Sequence, residues 1–366
     1  MTSGTAADLH HMRHALVLAD RALGSTAPNP AVGCVIVTKE GVVVGRGWTQ
    51  KGGRPHAETI ALGQAGEAAR GATAYVTLEP CSHHGETPPC ADALIAAGVA
   101  RVVAAVEDPD PRVNGQGLAK LRAAGIEVVV GVGAKDAAEL NAGFFLRLRE
   151  KRPLVTLKIA QSSDGKTAAT GGNKWITGEA ARRFGHLMRA KNDAILVGIG
   201  TALADDPELT CRLPGLENRS PMRVVLDSRL RLAESSKLAQ TARSIPTLVF
   251  TTADGGGVLA ACGVEVVKVE RDAAGRPKLE AVLAELAGRG VTRLLVEGGA
   301  TLHAAFLDRD LADRLEVFTS PTVLGAAGRG AVDSLAALTL GETPRFRPAG
   351  KRSFGPDLLV SYGHAD

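Results

Sequence analysis

The chain has 366 residues, 45% hydrophobic and 22% charged, with a formal net charge of +4. That length suits two domains of ordinary size with buried cores, and the composition excludes a disordered or fibrous protein. Acidic and basic residues are interspersed, so the mild positive balance fits local sites for a phosphorylated small molecule rather than a nucleic-acid surface. At 3% aromatic content, stacking platforms for bases are also scarce.

The first twenty residues, MTSGTAADLHHMRHALVLAD, place Asp8, three histidines and Arg13 where a signal peptide would be apolar. No apolar run reaches the roughly 18 residues that would suggest a membrane span. The expectation is a cytoplasmic protein with a small-molecule substrate, no nucleic-acid partner and no membrane association; a homo-oligomer is left open. Five cysteines (Cys34, Cys81, Cys90, Cys211 and Cys262) are too few for a disulfide scaffold. A close pair among them points instead to metal.

In chain order, residues 8–23 carry helical periodicity. An apolar strand follows at 31–37, turning at Lys39-Glu40-Gly41 into a second strand at 42–48. His56 opens a helical stretch to 69. Strands are then expected at 72–80, 100–109 and 126–132, separated by helices at 90–98 and 117–125. Alternation of this kind argues for an α/β sheet covered by helices. A charged helical stretch from Ala134 ends at Pro153, placing a boundary near residue 150. A second α/β series begins with LVTLKIAQS and runs to DLLVSYG near the carboxyl end.

Chemistry first shows in EPCSHHGETPPC (79–90), where Cys81 and Cys90 are separated by eight residues, and in HAE (56–58) upstream. His56, Cys81 and Cys90 supply three borderline or soft donors, and zinc held by three protein ligands keeps a fourth position for water. Such a metal makes hydroxide available near neutral pH. Glu58, beside the metal but not bound to it, suits the transfer of the water's proton to leaving ammonia. Histidine, cysteine and cysteine alone would equally fit two buried thiols and a helix-start histidine. Pro80 before Cys81, Glu58 in register and the order of strands and helices favour the zinc deaminase arrangement, H-x-E followed by P-C and a second cysteine. The usual separation of those cysteines is two residues, not eight. A nucleic-acid deaminase and a regulator with a structural zinc are the other classes. The first conflicts with the missing basic stripe and the low aromatic content, the second with the three-ligand set beside a glutamate.

The loop CSHHGETPPC resolves the spacing. It resembles the C-S-H-x-G-x-T-P-P-C loop of the bifunctional riboflavin biosynthesis proteins, in which a pyrimidine deaminase is fused to a reductase, and PNPAVGCVIV (28–37) is similar to that family's opening strand. The resemblance covers the whole chain. It implies a cytidine-deaminase-like three-layer α/β domain over residues 1–148 and a dihydrofolate-reductase-like domain over 151–366, with Zn2+ and NADPH as cofactors. The implied reactions are deamination of 2,5-diamino-6-ribosylamino-4(3H)-pyrimidinone 5′-phosphate and reduction of its ribosyl group to ribityl. Asn29 would then hydrogen-bond the pyrimidine.

In the second domain the family's substrate positions fall on Asn173, Arg189, Leu209, Arg212 and Glu297. Its cofactor positions fall on Ala160, Trp175, Thr201, Asp205, Ser228 and the run Gly299, Ala300, Thr301, Leu302, His303, Ala304, Ala305. Read without the resemblance, that region is less explicit. No G-x-G-x-x-G follows a strand in a βαβ setting. VEGGATLHAAF (296–306) offers a strand, a glycine pair and a helix start whose free N–H groups can take a pyrophosphate, though such a stretch is also an ordinary tight turn. Arg189 and Arg212 suit bidentate phosphate binding; in isolation they would be solvated surface arginines. The chain departs from the family pattern at two positions. Thr49 stands where relatives commonly have histidine and Glu86 where they commonly have lysine or arginine, so either the substrate phosphate is held by another cation such as Lys51 or Arg54 or this deaminase site is weak; Glu86 equally fits a solvated loop residue.

Overall fold

Two series of short apolar strands divided at a charged helix produce two units in the computed structural model, Met1–Glu150 and Lys151–Asp366. The structure describes residues 4–83, 88–111, 113–168, 175–336 and 346–364. The expected Glu86 and Asn173 sites lie outside the described residues.

The strands of the first unit are β1 (Gly33–Val37), β2 (Val43–Trp48), β3 (Thr73–Val76), β4 (Arg101–Ala104) and β5 (Glu127–Val130), in the spatial order β2-β1-β3-β4-β5. β1 runs antiparallel to both neighbours, while β3, β4 and β5 are parallel. Helices Ala57–Ala65 and Cys90–Ala96 belong to the core on one face, and helix Ala6–Asp20 to that on the other, which gives three layers. The amino-terminal helix starts with a capping box between Thr5 and Asp8. The buried Asp8 also receives Arg101 at 2.6 and 3.1 Å and the Tyr75 hydroxyl at 3.0 Å. The Arg101 guanidinium holds the Asp8 carboxyl well below the usual carboxylate range.

The second unit contributes β6 (Leu154–Ser162), β7 (Lys166–Ala168), β8 (Ala194–Gly198), β9 (Met222–Leu226), β10 (Thr247–Thr251), β11 (Glu265–Lys268), β12 (Arg293–Val296), β13 (Arg314–Ser320), β14 (Arg329–Gly330), β15 (Phe346–Phe354) and β16 (Asp357–His364). Nine of them form one sheet in the order β11-β10-β9-β8-β12-β6-β13-β16-β15, and β7 pairs with β14. Seven strands from β11 to β13 are parallel; β16 and β15 close the edge antiparallel. The side-chain alternation of the strands divides the core. Val155, Leu157, Leu294 and Val296 meet helices Leu279–Gly288 and Ala300–Asp308 on one face, while Ile195, Val197 and Leu295 meet helix Glu179–Ala190 on the other.

The expected elements are present with shorter ends. Residues 72–80 form a strand only to Val76, because Glu79-Pro80-Cys81 turns into the site. Residues 134–153 divide into helices Ala134–Leu140 and Ala142–Glu150. The sequence reading did not assign β15 or the β7–β14 pair. β15 is almost wholly exposed and polar, so it lacks the apolar period that marks a strand.

Candidate functional sites

The first site begins with two glycines. Gly45 and Gly47 occupy alternate positions of β2, and a β-carbon on them would come within 2.2 Å of the Ala61 carbonyl oxygen and 2.0 Å of the Ala57 carbonyl oxygen. The helix Ala57–Ala65 therefore lies directly on the strand backbone, and its amino end is fixed. His56 is the extended residue before that helix, Glu58 lies in its first turn, Cys81 follows β3, and Cys90 begins the helix Cys90–Ala96.

The structure brings the three expected ligands together. His56 Nδ1 is 3.2 Å from Cys90 Sγ and 3.7 Å from Cys81 Sγ, and all three donor atoms lie within 4.8 Å of one another. Bonds of about 2.1–2.3 Å in a tetrahedral zinc site put the ligand atoms about 3.4–3.8 Å apart, so the cluster fits the metal in both donor type and scale. The Cys90 backbone N–H and side chain and the His56 ring hold the Cys81 thiol well below its ordinary value, toward the thiolate that binds metal. Glu58 is 3% exposed, and its burial pushes the carboxyl up, against the pull of His56.

Glu79 completes this site and was not singled out from sequence. Its buried carboxylate accepts backbone N–H groups from Asp108 (3.1 Å), Gly115 (2.9 Å), Gly117 (2.9 Å) and Leu118 (3.3 Å), tying the turn that carries Cys81 to the start of helix Gln116–Ala123. Its place two residues before a ligand was the available signal. Asn29 donates to the Gly52 carbonyl oxygen at 3.3 Å, which joins its loop to the segment leading to His56. Thr49 is 3% exposed; its hydroxyl accepts the Val32 N–H at 2.9 Å and thereby serves the backbone.

In the second unit, Glu297 follows β12 and receives Arg189 bidentately, Nε to Oε1 at 2.8 Å and Nη2 to Oε2 at 2.9 Å, while Arg189 Nη1 donates to the Thr210 carbonyl at 3.0 Å. Lys158 of β6, absent from the sequence reading, approaches Glu297 at 3.9 Å. Burial alone would raise the Glu297 pKa, but Arg189 and Lys158 hold it down to about 2. Arg189 is thus an enclosed partner of Glu297, whereas Arg212 is exposed, with Glu208 at 3.2 Å. Leu209 is buried beside them in a left-handed backbone conformation.

A cavity of about 420 Å³ opens at the carboxyl edge of β8, β9 and β12. Among the expected cofactor residues, Thr201, Ser228, Gly299, Ala300, Thr301, Leu302 and Ala305 line it. His303 and Ala304 are buried beneath. Ala160, Asp205 and Trp175 lie outside its lining; Trp175 is 52% exposed with the Arg182 guanidinium 4.9 Å above its ring, so it is no core residue. The helix Ala300–Asp308 starts at Gly299 with no side-chain cap, leaving its first N–H groups for a ligand. β-Carbons added to Gly198 or Gly200 would meet nothing within 4 Å, so this wall stays open for close approach. Volume, glycines and helix start all fit a dinucleotide.

Residues 153–360 match the RibD C-terminal domain, and residues 5–106 match the cytidine and deoxycytidylate deaminase zinc-binding region. The chain is 42% identical to the riboflavin biosynthesis protein RibD of Aquifex aeolicus, over 97% of this chain and 98% of the relative. Against that of Escherichia coli it is 43% identical, over 96% and 98%. Among solved structures, Acinetobacter baumannii RibD superposes with a TM-score of 0.88 at 39% identity, covering 98% of this chain and 99% of that one. The diaminohydroxyphosphoribosylaminopyrimidine deaminase/5-amino-6-(5-phosphoribosylamino)uracil reductase of Thermotoga maritima superposes with 0.86 at 35%, with the same coverage.

Proposed function

The chain belongs to the riboflavin biosynthesis protein RibD family, and we propose from its geometry how its own residues divide that family's two reactions. It is a bifunctional enzyme, a zinc-dependent deaminase and an NADPH-dependent reductase. The deaminase site resides in residues 1–148 and the reductase site in 151–366. The substrate is 2,5-diamino-6-ribosylamino-4(3H)-pyrimidinone 5′-phosphate. The cysteine usage supports a cytoplasmic setting, and among the described residues no helix is long and apolar enough to cross a membrane.

In the first unit, His56 Nδ1 and the sulfurs of Cys81 and Cys90 would hold zinc, and Glu79 keeps the Cys81 turn in place. When bound, zinc supplies the Lewis acidity that makes water a nucleophile near neutral pH. Glu58 holds the proton removed from that water and delivers it to the departing amine, a task suited to a buried carboxyl whose pKa is raised. Asn29 meets the pyrimidine. Lys51 and Arg54 precede His56 and take the phosphate, since Thr49 is occupied by the backbone.

In the second unit, the first turn at Gly299 receives the cofactor pyrophosphate and Arg212 the substrate phosphate. When bound, NADPH would supply the hydride to the ring-opened sugar carbon, and a proton from water completes the reduction of ribosyl to ribityl. Arg189 and Lys158 keep Glu297 ionised, so its carboxylate accepts ribose hydroxyls and fixes the sugar carbon in line for reduction.

The observation that carries this reading is the His56–Cys81–Cys90 cluster with the buried Glu58 two residues from a ligand. Incubating the enzyme with the diaminopyrimidine phosphate and NADPH, while following ammonia release and NADPH absorbance together, tests it. Ammonia release followed by NADPH consumption is expected; neither signal in a zinc-loaded preparation overturns it.

A further inference from the structure

The cavity at the carboxyl edge of the second sheet carries charged side chains on one wall that the pyrophosphate and sugar contacts above do not involve. Its lining follows the strand order. Leu226, Ser228 and Arg231 belong to the end of β9, Gly198 to Thr201 to the end of β8, Gly299 to Thr301 to the end of β12, and Arg329 to β14. Ligands of parallel sheets lie across such an edge. On the reading above the pyrophosphate belongs at Gly299, at the β12 end of that row. Lys158 on β6 and Glu297 after β12 mark where the sugar is reduced. On that placement the reducing end of the cofactor would lie to the β12–β6 side and its adenosine end to the β8–β9 side.

The loop after β9 is built rather than loose. Asp227 is wholly buried and its carboxylate accepts the N–H groups of Leu232 at 2.8 Å and Arg229 at 3.3 Å. Leu230 takes a left-handed conformation, φ 53°, which turns the chain sharply before Arg231. The Thr252 hydroxyl donates to the Ser228 carbonyl at 3.2 Å. Ser228 and Arg231 thus face the cavity from a turn whose backbone is tied at both ends, and among the described residues neither side chain has a hydrogen bond or ion pair of its own.

Three other arginines line the cavity, and each is less suited to an anion on this side. Arg309 is bound to Asp272 at 2.9 Å and to the Ala305 carbonyl at 3.2 Å. Arg276 sits in the turn closed by that same Asp272, whose carboxylate also lines the wall and repels a phosphate. Arg329 belongs to β14, which pairs with β7 in a separate small sheet and not with β9.

Resting on the reading of this cavity as the cofactor site, we propose that Arg231, with the Ser228 hydroxyl, binds the adenosine 2′-phosphate and so makes this reductase select NADPH over NADH. A guanidinium presents a rigid fork to the phosphate oxygens, and the serine adds a neutral donor. On this reading the helix start at Gly299 takes the pyrophosphate and the loop after β9 the 2′ position, so the two functions separate by residue.

The test uses the full-length enzyme and two small probes, adenosine 2′,5′-bisphosphate and 5′-AMP, titrated by calorimetry, with steady-state KM for NADPH and NADH alongside. The unaltered enzyme is expected to bind the bisphosphate more tightly than 5′-AMP. Arg231→Gln should weaken the bisphosphate about 10- to 100-fold, as loss of a charge-assisted contact does, and leave 5′-AMP where it was. It should collapse the NADPH-to-NADH preference in KM by a similar factor, with kcat little changed. Ser228→Ala should show a smaller loss of the same kind. An unchanged preference in Arg231→Gln, or a loss that appears in Arg276→Gln instead, overturns the assignment to Arg231. If the unaltered enzyme binds neither adenylate, the cofactor reading of the cavity falls, and this proposal with it.

Discussion

The two sites differ in what carries their chemistry. In the first unit three side-chain donors lie within 4.8 Å of one another around a place for metal, and a buried glutamate stands two residues from one of them. In the second unit the reacting group belongs to the cofactor, and on the proposed reading the protein contributes a helix start, open glycines and charges from β6, the residue after β12 and the helix before β8. A site made of ligating side chains has few acceptable residue types, so each member is irreplaceable. A site made of backbone and dispersed charge spreads its contribution, so single changes there should act through affinity and stability as much as through turnover.

The sharpest way to break this contrast is Cys90→Ser. Zinc content should fall from about one per chain toward zero and ammonia release should disappear, while NADPH oxidation on the already deaminated substrate persists. Equal zinc in the variant would remove Cys90 from the ligand set. Glu58→Gln comes next. It preserves shape without a titratable carboxyl, so deamination should drop about 10²–10⁴-fold with zinc still bound; near-normal ammonia release would assign the proton transfer to another group.

The second unit should answer in stability. Arg189→Leu strands the Glu297 carboxylate in a nearly dry place, and breaking a buried pair costs about 3–5 kcal/mol. Calorimetry should show the transition of the second unit moving down while ammonia release is retained. The same pair predicts an acid limit. The folded pKa of Glu297, about 2, lies below the ordinary glutamate value. Its contribution is therefore complete above about pH 4.3 and drains away as pH falls toward 2, on the order of 3 kcal/mol in all. Arg189→Leu should flatten that dependence, and a slope that survives the change would place the acid sensitivity elsewhere.

The smallest effect is expected at Thr49, where the family commonly has histidine. Thr49→Val leaves the buried Val32 N–H without its acceptor, a loss of about 1–3 kcal/mol visible in chemical denaturation. The KM for deamination should stay level; a clear rise would make Thr49 a substrate contact after all.

The cluster of His56, Cys81 and Cys90 and the buried Glu58 beside it were legible as candidates in the sequence because few residue types can ligate zinc or shuttle a proton, and their spacing survives in the string. The strand–helix alternation was legible for a similar reason, since burial on both faces imposes continuous apolar runs. Glu79 was not, although it stands two residues before Cys81, because its partners are backbone N–H groups of residues 108–118, and an N–H carries no residue identity. Lys158 likewise reads as one charge in an apolar strand until the pairing of β6 with β12 brings it to Glu297.

Arg189 and Arg212 show the division most simply. As letters they are two equivalent phosphate-binding candidates. Folding encloses the first against Glu297 and leaves the second exposed, since the direction in which a helix or loop presents its side chain depends on what packs beside it. The sequence by itself determined which chemical groups are available and in what periodic order they enter the sheets. Which of those groups are dry, paired or free to meet a ligand was decided by tertiary structure alone, because burial and Coulomb attraction depend on distances through space and not on separation along the chain.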